Sequence, residues 1–340
     1  MKNKKNILLL FLIVSSLAAV AQKNFNEYVK LYPIGEDPNI RVMSSYRAEE
    51  TILFEANPTV RFSVYNNFLK RLMNDSCHAQ AWYVSVRPQL RMYTDNSLPV
   101  KTPSYRVLFG TQHLYRLSNK KLKGKKEHFA GFSLESGHYS NGQDGCAFSE
   151  TIADGTAACD SVYNTITPQS DLSKMLNRRS GNFSTNLTEL ILTYRLYTLD
   201  DDNNPMTGHI VTAGFIFYHD RFLGLGNFGG YSDQDIKIYG KWRYQAGYEF
   251  MHVFKKGEGT RLSVKENAEL ISGAAKQVNT VRNEVTVTLY PFKFSRALGF
   301  LASYIYGHDN YNYRFLDSGN QGTIGITWTQ FPPVPLRSGF

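Results

Sequence analysis

From about residue 57 onward the chain repeats one unit: ten or so residues rich in Val, Ile, Leu, Phe, Tyr and Thr, followed by a polar turn. Eleven such segments fall at 57–68, 80–93, 104–117, 127–140, 183–197, 208–219, 236–252, 260–273, 281–292, 296–306 and 321–330. Alternating segments of this length are the signature of strands with one face toward lipid and the other toward a wet lumen. No stretch sustains the 3.6-residue period of an amphipathic helix long enough to compete. Single-chain bacterial barrels use even strand counts, so eleven visible segments predict an all-β fold: a transmembrane antiparallel β-barrel of 12 strands, one of them hidden. Composition decides less, because 22 Tyr, 22 Phe and 3 Trp suit a soluble sandwich equally well.

The first residues point to export. Lys2, Lys4 and Lys5 precede an apolar run from Ile7 to Val20 that closes on Ala19-Val20-Ala21. This reads as a signal peptide over 1–21, since the run falls short of the roughly 20 residues a membrane helix needs and polar sequence follows at once. Residues 22–56 are less regular and are expected to form an N-terminal lead or plug, leaving 57–340 as the barrel. Loss of the three lysines takes the formal net charge from +9 to +6. That balance suits an anionic lipid surface and is too diffuse to argue for nucleic acid. A final phenylalanine, Phe340, is common among outer-membrane proteins.

The longest interruption is 141–182, and long loops belong on the extracellular side of such barrels. Of the three cysteines, Cys77, Cys146 and Cys159, the last two share this Gly-rich and Asp-rich stretch. In an oxidising compartment they can close a small loop, the alternative being two free thiols. The chain has no CxxC and no HExxH, so a structural zinc site has no support.

Residues two apart in a strand share a face. Over 127–140, Ala130, Phe132 and Leu134 fall together with Ser136, His138 and Ser140, opposite Gly131, Ser133, Glu135, Gly137 and Tyr139. Glu135 needs the lumen, so His138 and Ser140 emerge on the lipid side near its upper edge. In the next strand Leu190, Leu192, Tyr194 and Leu196 make the apolar face, against Thr185, Glu189, Thr193 and Arg195; Asn186 has the parity of the leucines. A hydroxyl, an imidazole able to take its proton and an amide able to hold that imidazole in one tautomer thus meet beside the headgroups. Polar groups are cheap there, about 0 to 1 kcal/mol at the interface, so a merely polar rim is the competing reading.

Gly137-His138-Tyr139-Ser140-Asn141-Gly142 resembles the His-x-Ser-Asn-Gly signature of the outer-membrane phospholipase A family, twelve-stranded barrel esterases. Other pieces agree in order: Tyr105, Ser184-Thr185-Asn186, Asp235-Ile236 to Tyr239-Gly240, Gly247-Tyr248, Tyr311-Asn312-Tyr313 and Gly322 to Trp328, over roughly 50 to 330. The resemblance implies Ser140 as nucleophile, His138 as general base and later acid, and Asn186 as the group that orients His138. It also implies calcium, activity tied to a homodimer, and membrane phospholipids as substrate. The loop carbonyl ligand falls on Gln143, where the family usually has arginine, and the hydroxyl ligand four residues before the asparagine is Asn182 here. Ser97 is the candidate for the ligand given by the partner subunit. The connection between Ser140 and Asn186 is far longer than the family's, which leaves Asn182, of the same parity, as a substitute in the third place. The alternative is a non-enzymatic outer-membrane barrel, a small pore or a surface-binding scaffold.

Other signals take plainer readings. The sequons at Asn182 and Asn186 are sheet and loop asparagines, Asp200-Asp201-Asp202 is a turn, and Lys120 to Lys126 is a solvated turn. Trp242, Tyr244 and Tyr248 are membrane-interface anchors.

Overall fold

A computed structural model describes residues 34–329 apart from 36, 47–49, 74–75, 96–98, 118–125, 200–204, 223–225, 228, 255–259, 293–294 and 296. The signal peptide, Ser97, the acidic run Asp200-Asp201-Asp202, Lys120 to Lys125 and Phe340 lie outside the described residues.

Twelve antiparallel strands close on themselves. They are β1 (Asn39–Tyr46), β2 (Ile52–Asn57, continuing as Val60–Asn66), β3 (His78–Tyr93), β4 (Ser104–Arg116), β5 (Lys126–Ser140) and β6 (Ser184–Leu199). Then follow β7 (Pro205–His219), β8 (Trp242–Val253), β9 (Arg261–Ser272), β10 (Val281–Tyr290), β11 (Leu298–His308) and β12 (Ser318–Thr329). Each strand pairs with the next, and β12 returns to β1 from Asn39↔Thr329 to Tyr46↔Gly322. Both halves of β2 pair with β3, at Ala56↔Leu90 and at Val60↔Val86. They are one wall strand interrupted at Pro58, which has no N–H to give the ladder.

The hidden twelfth strand is β1, inside the segment expected to be a lead or plug, and β2 also begins there. Its sequence is why it escaped notice: Arg41, Met43 and Ser45 point inward and Ile40, Val42 and Ser44 outward, so few apolar residues mark the alternation. A second difference lies at 236–252, where the first residues belong to a helix, Asp233–Tyr239, and the strand starts at Trp242.

Burial follows parity. Leu134 and Leu192 are 44% and 50% exposed, whereas Glu135 and Glu189, on the opposite face of the same two strands, are 1% and 3% exposed. The outward belt also holds Phe62, Val107, Phe109, Val211, Phe300, Ile324 and Trp328. Soluble monomers do not leave so continuous an apolar surface in water, and lipid is the solvent that suits it. This is the architecture of a bacterial outer-membrane barrel.

Lumenal charges are paired from wall to wall, as burial of charge requires. Arg87 of β3 pairs with Glu135 of β5 and lies 3.8 Å from Glu189 of β6. Arg91 binds Glu55 at 2.5 Å and Asp309 at 2.6 Å. A polar cavity of about 320 Å³ remains between Gln245, Glu249, Lys265 and Asn267.

The ends differ. The long loop 141–183 folds into α1 (Ala157–Asn164) and α2 (Leu172–Met175), and with α3 (Asp233–Tyr239) and the 3-10 turn Asn312–Leu316 it caps one mouth. Cys146 and Cys159 are disulfide-bonded, which settles the two alternatives left open by their spacing. Phe183, Tyr231, Tyr239, Tyr313 and Phe315 pack edge to face and stacked within the cap core. Glu50 ties it to the wall by pairing with Arg314 and, at 2.5 Å, with Lys101.

Burial raises the Glu50 carboxyl, but Arg314 and Lys101 pull it further the other way, and it rests below its ordinary value. Such a group stabilises the fold above its unfolded pKa and loses that contribution as pH falls through the folded one. Protection against hydrogen exchange across 309–317, taken relative to the intrinsic rate at each pH, is therefore expected to weaken as pH drops below about 4.3. Glu50→Gln is expected to show the weaker protection already at neutral pH, with the strands still protected.

Candidate active site

Strands β5 and β6 run in unbroken register from Lys126↔Thr198 to Ser140↔Ser184. That register sets His138 directly opposite Asn186, and β7 continues the rung with His219 opposite Asn186. Directly opposed residues on one face lie about 5 Å apart at Cβ, within reach of a ring and an amide. Nδ1 of His138 is 3.0 Å from Oδ1 of Asn186.

The amide is oriented from its other side. Asn186 Nδ2 donates to the backbone carbonyl of Asp220 at 3.2 Å, which turns Oδ1 toward the imidazole. Since Oδ1 only accepts, Nδ1 of His138 carries the proton and Nε2 keeps the lone pair a general base needs. Asn186 is 0% exposed although its parity is outward. The Asp220 carbonyl meets its amide and Gly229 lies against the neighbouring His138 ring, so this part of the exterior is not the bare lipid-facing wall that parity alone predicts.

Ser140 stands two residues beyond His138 on the same face, half-buried, between Tyr105 of β4 and Ser184 of β6. Same-face neighbours along a strand are roughly 7 Å apart at Cα, a gap two side chains can close. Among the described residues no hydrogen bond joins Ser140 to His138 in this state. One rung below, Ser136 Oγ lies 3.0 Å from Thr188 Oγ1, which lies 3.0 Å from Nε2 of His219. This second polar row is saturated within itself, with Ser136 also donating to the carbonyl of Leu187 at 3.1 Å.

The predicted metal ligands part company. Asn182 does not join His138; its Nδ2 donates to Asp154 Oδ2 at 2.6 Å, and the asparagine paired with His138 is Asn186. Bridges from Gly145 to Ala153 and to Gly181 lay the backbone beside Gln143, Asp154 and Asn182 together, and the disulfide closes the same loop. A carbonyl, an amide and a carboxylate are hard donors of the kind calcium takes, although among the described residues no group of three or more His, Cys, Asp or Glu is placed to hold a metal ion. Sequence reasoning missed Asp154 as a partner of Asn182. It also missed His219, which the same parity argument reaches, and the Asp220 carbonyl, which leaves no trace in a side chain.

No family model matches the chain, and no curated protein matches it. Among solved structures it is similar to outer membrane phospholipase A from Escherichia coli, at 10% identity over 90% of this chain and 97% of that one, TM-score 0.49. The Salmonella typhi outer membrane phospholipase dimer with bound calcium gives the same figures: 10%, 90%, 97% and 0.49. An outer membrane channel from Pseudomonas putida F1 follows at 12% identity, 87% and 96% coverage and TM-score 0.39. An enzyme and a channel stand side by side at this level, so the likeness says nothing about activity.

In protein carrying ¹⁵N-histidine, neutral His138 is expected as the Nδ1–H tautomer. Asn186→Ala removes a bond worth about 1 kcal/mol net and is expected to let both tautomers populate without unfolding the barrel. A wild-type spectrum with the proton on Nε2 would contradict the assignment.

Proposed function

We propose that the protein is an outer-membrane phospholipase that hydrolyses acyl esters of glycerophospholipids through Ser140, His138 and Asn186. The observation that carries this is the His138–Asn186 pair, with Asp220 fixing the amide so that Nε2 is the basic nitrogen. A polar rim needs no such orientation.

In the reading, Ser140 Oγ attacks the ester carbonyl carbon and His138 Nε2 takes its proton, with Ser140 rotating toward the ring. The tetrahedral adduct collapses as His138 returns the proton to the departing lysophospholipid oxygen. Water then attacks the acyl-serine, giving its proton to Nε2, and the second adduct collapses as Nε2 returns that proton to Ser140 Oγ and fatty acid leaves. Asn186 keeps the Nδ1 proton in place throughout. Backbone N–H groups of Asn141 and Gln143 are already donated within the loop, to Phe183 and to Asn141 Oδ1. That of Gly142, between them and close after Ser140, makes no hydrogen bond among the described residues and is the donor left for the oxyanion.

Gln143 through its carbonyl, Asn182 and Asp154 would hold calcium, and Ser97 of a second copy is the remaining candidate ligand. The ion would supply positive charge near the developing oxyanion. Homodimerisation belongs to the same reading.

The experiment is hydrolysis of a diacyl phospholipid in detergent. Ser140→Ala and His138→Ala are expected to fold and insert but to lose activity by roughly 10⁴-fold or more. Chelation of calcium is expected to abolish turnover, and Asp154→Asn to raise the calcium concentration required. A sulfonyl fluoride is expected to label Ser140 only when calcium is present. Wild-type activity in Ser140→Ala, or no hydrolysis with calcium present, removes the assignment and leaves the non-enzymatic barrel.

A further inference from the structure

The segment between β7 and α3 is larger than a turn requires, and it lies against the lipid-side face of the site. Arg221–Phe222 pairs with Gly226–Asn227 in a short antiparallel ladder. Its two ends touch: a Cβ built on Gly230 would sit 2.3 Å from Asp220 Cα. The closed hairpin meets the wall at three points. Asp220 gives its carbonyl to Asn186, Gly229 gives its carbonyl to the Ser184 hydroxyl at 2.8 Å, and Gly229 itself lies on the His138 ring.

The third contact is the most restrictive. Gly229 has φ +63, and a Cβ there would stand 2.4 Å from Cε1 and 2.9 Å from Nδ1 of His138. Only glycine lets the backbone come this close, and only glycine takes this φ without strain. The imidazole is therefore bounded on one side by Asn186 and on another by a peptide backbone that is tied to β6 at Asn186 and Ser184.

We propose that Asp220 and Gly229 form a backbone clamp that positions His138 and Asn186 and covers them from the lipid, so that substrate reaches Ser140 from the β4 side. The inference rests on reading Ser140, His138 and Asn186 as the hydrolytic set. Asp220 and Gly229 are positioning residues and touch no reacting atom. The β4 side is the open one: Tyr105, Val107 and Phe109 flank Ser140, His138 and Ser136 in register and remain exposed.

The test is Gly229→Ala in the full-length protein, with Gly273→Ala as control. Gly273 also has positive φ, +82, but a Cβ there meets only Gly240 Cα at 3.9 Å, far from the site. Gly229→Ala is expected to lower kcat by about 10-fold to 100-fold with little change in KM, since an ångström of misplacement costs that much. Ser184→Ala, which loosens the tether without touching the ring, is expected to give a smaller loss of the same kind. A second readout needs no turnover. Carbethoxylation of His138, followed by mass spectrometry of its peptide, is expected to run severalfold faster in Gly229→Ala than in wild type and unchanged in Gly273→Ala.

Wild-type labelling of His138 and wild-type kcat in Gly229→Ala would overturn the clamp and leave the hydrolase reading intact. Equal acceleration in Gly273→Ala would mean general loosening and would also overturn it. If wild type hydrolyses no ester, the functional reading fails by itself, and the labelling still decides whether the clamp exists.

Discussion

Everything in this molecule depends on closure of the sheet. In hydrocarbon an unpaired backbone group has no water to turn to, so each strand must be hydrogen-bonded on both edges and the last must find the first. The pairing of β12 with β1 meets that demand, and it makes parity binding on the whole wall. Once Glu135 must face the lumen, Leu134 and Ser136 must face out, and so must His138 and Ser140. A register slip of one residue between β5 and β6 would send Glu189 and Arg195 into lipid, which is why a fifteen-residue ladder without a bulge sits under the site.

That chain of dependence explains how far the sequence could be read. Strands β5 and β6 were legible because each carries a charge on one face and leucines on the other, and the side chains that matter inherit their direction from those neighbours. β1 was not, since Ser44 and Ser45 on opposite faces blur the alternation. The stretch before Trp242 reads as strand because Ile236, Ile238 and Tyr239 are β-formers. Ser232 and Asp235 cap it reciprocally as a helix instead, and the cap core takes Ile238 and Tyr239. Local capping and tertiary packing outweighed propensity.

Of the site, the pairing of His138 with Asn186 follows from parity, whereas the burial of Asn186 does not. Its amide is met by a loop much further along the chain, through the main-chain carbonyl of Asp220, and the same loop lays Gly229 on His138. Backbone groups have no composition, so no pattern of residue types announces them. Two glycines in a row at 229 and 230 are the one trace left, and they have many commoner explanations. The partner that Asn182 takes instead of His138 likewise lies outside both strands, the carboxylate of Asp154.

The same geometry accounts for an amide in the third position. A carboxylate at 186 would do more to stabilise an imidazolium, and in an aqueous cleft it would be the better choice. Here the position is 0% exposed, at the edge of a membrane, and an anion there would meet no solvent. It would also present oxygen to the Asp220 carbonyl, which now accepts a hydrogen bond from Asn186 Nδ2 at 3.2 Å and would face repulsion instead. Asparagine offers one acceptor for the ring and one donor for the carbonyl, which is the complement the two neighbours demand. The loss of charge stabilisation is the physical reason a hydrolytic reading of the site calls for another source of positive charge close to Ser140.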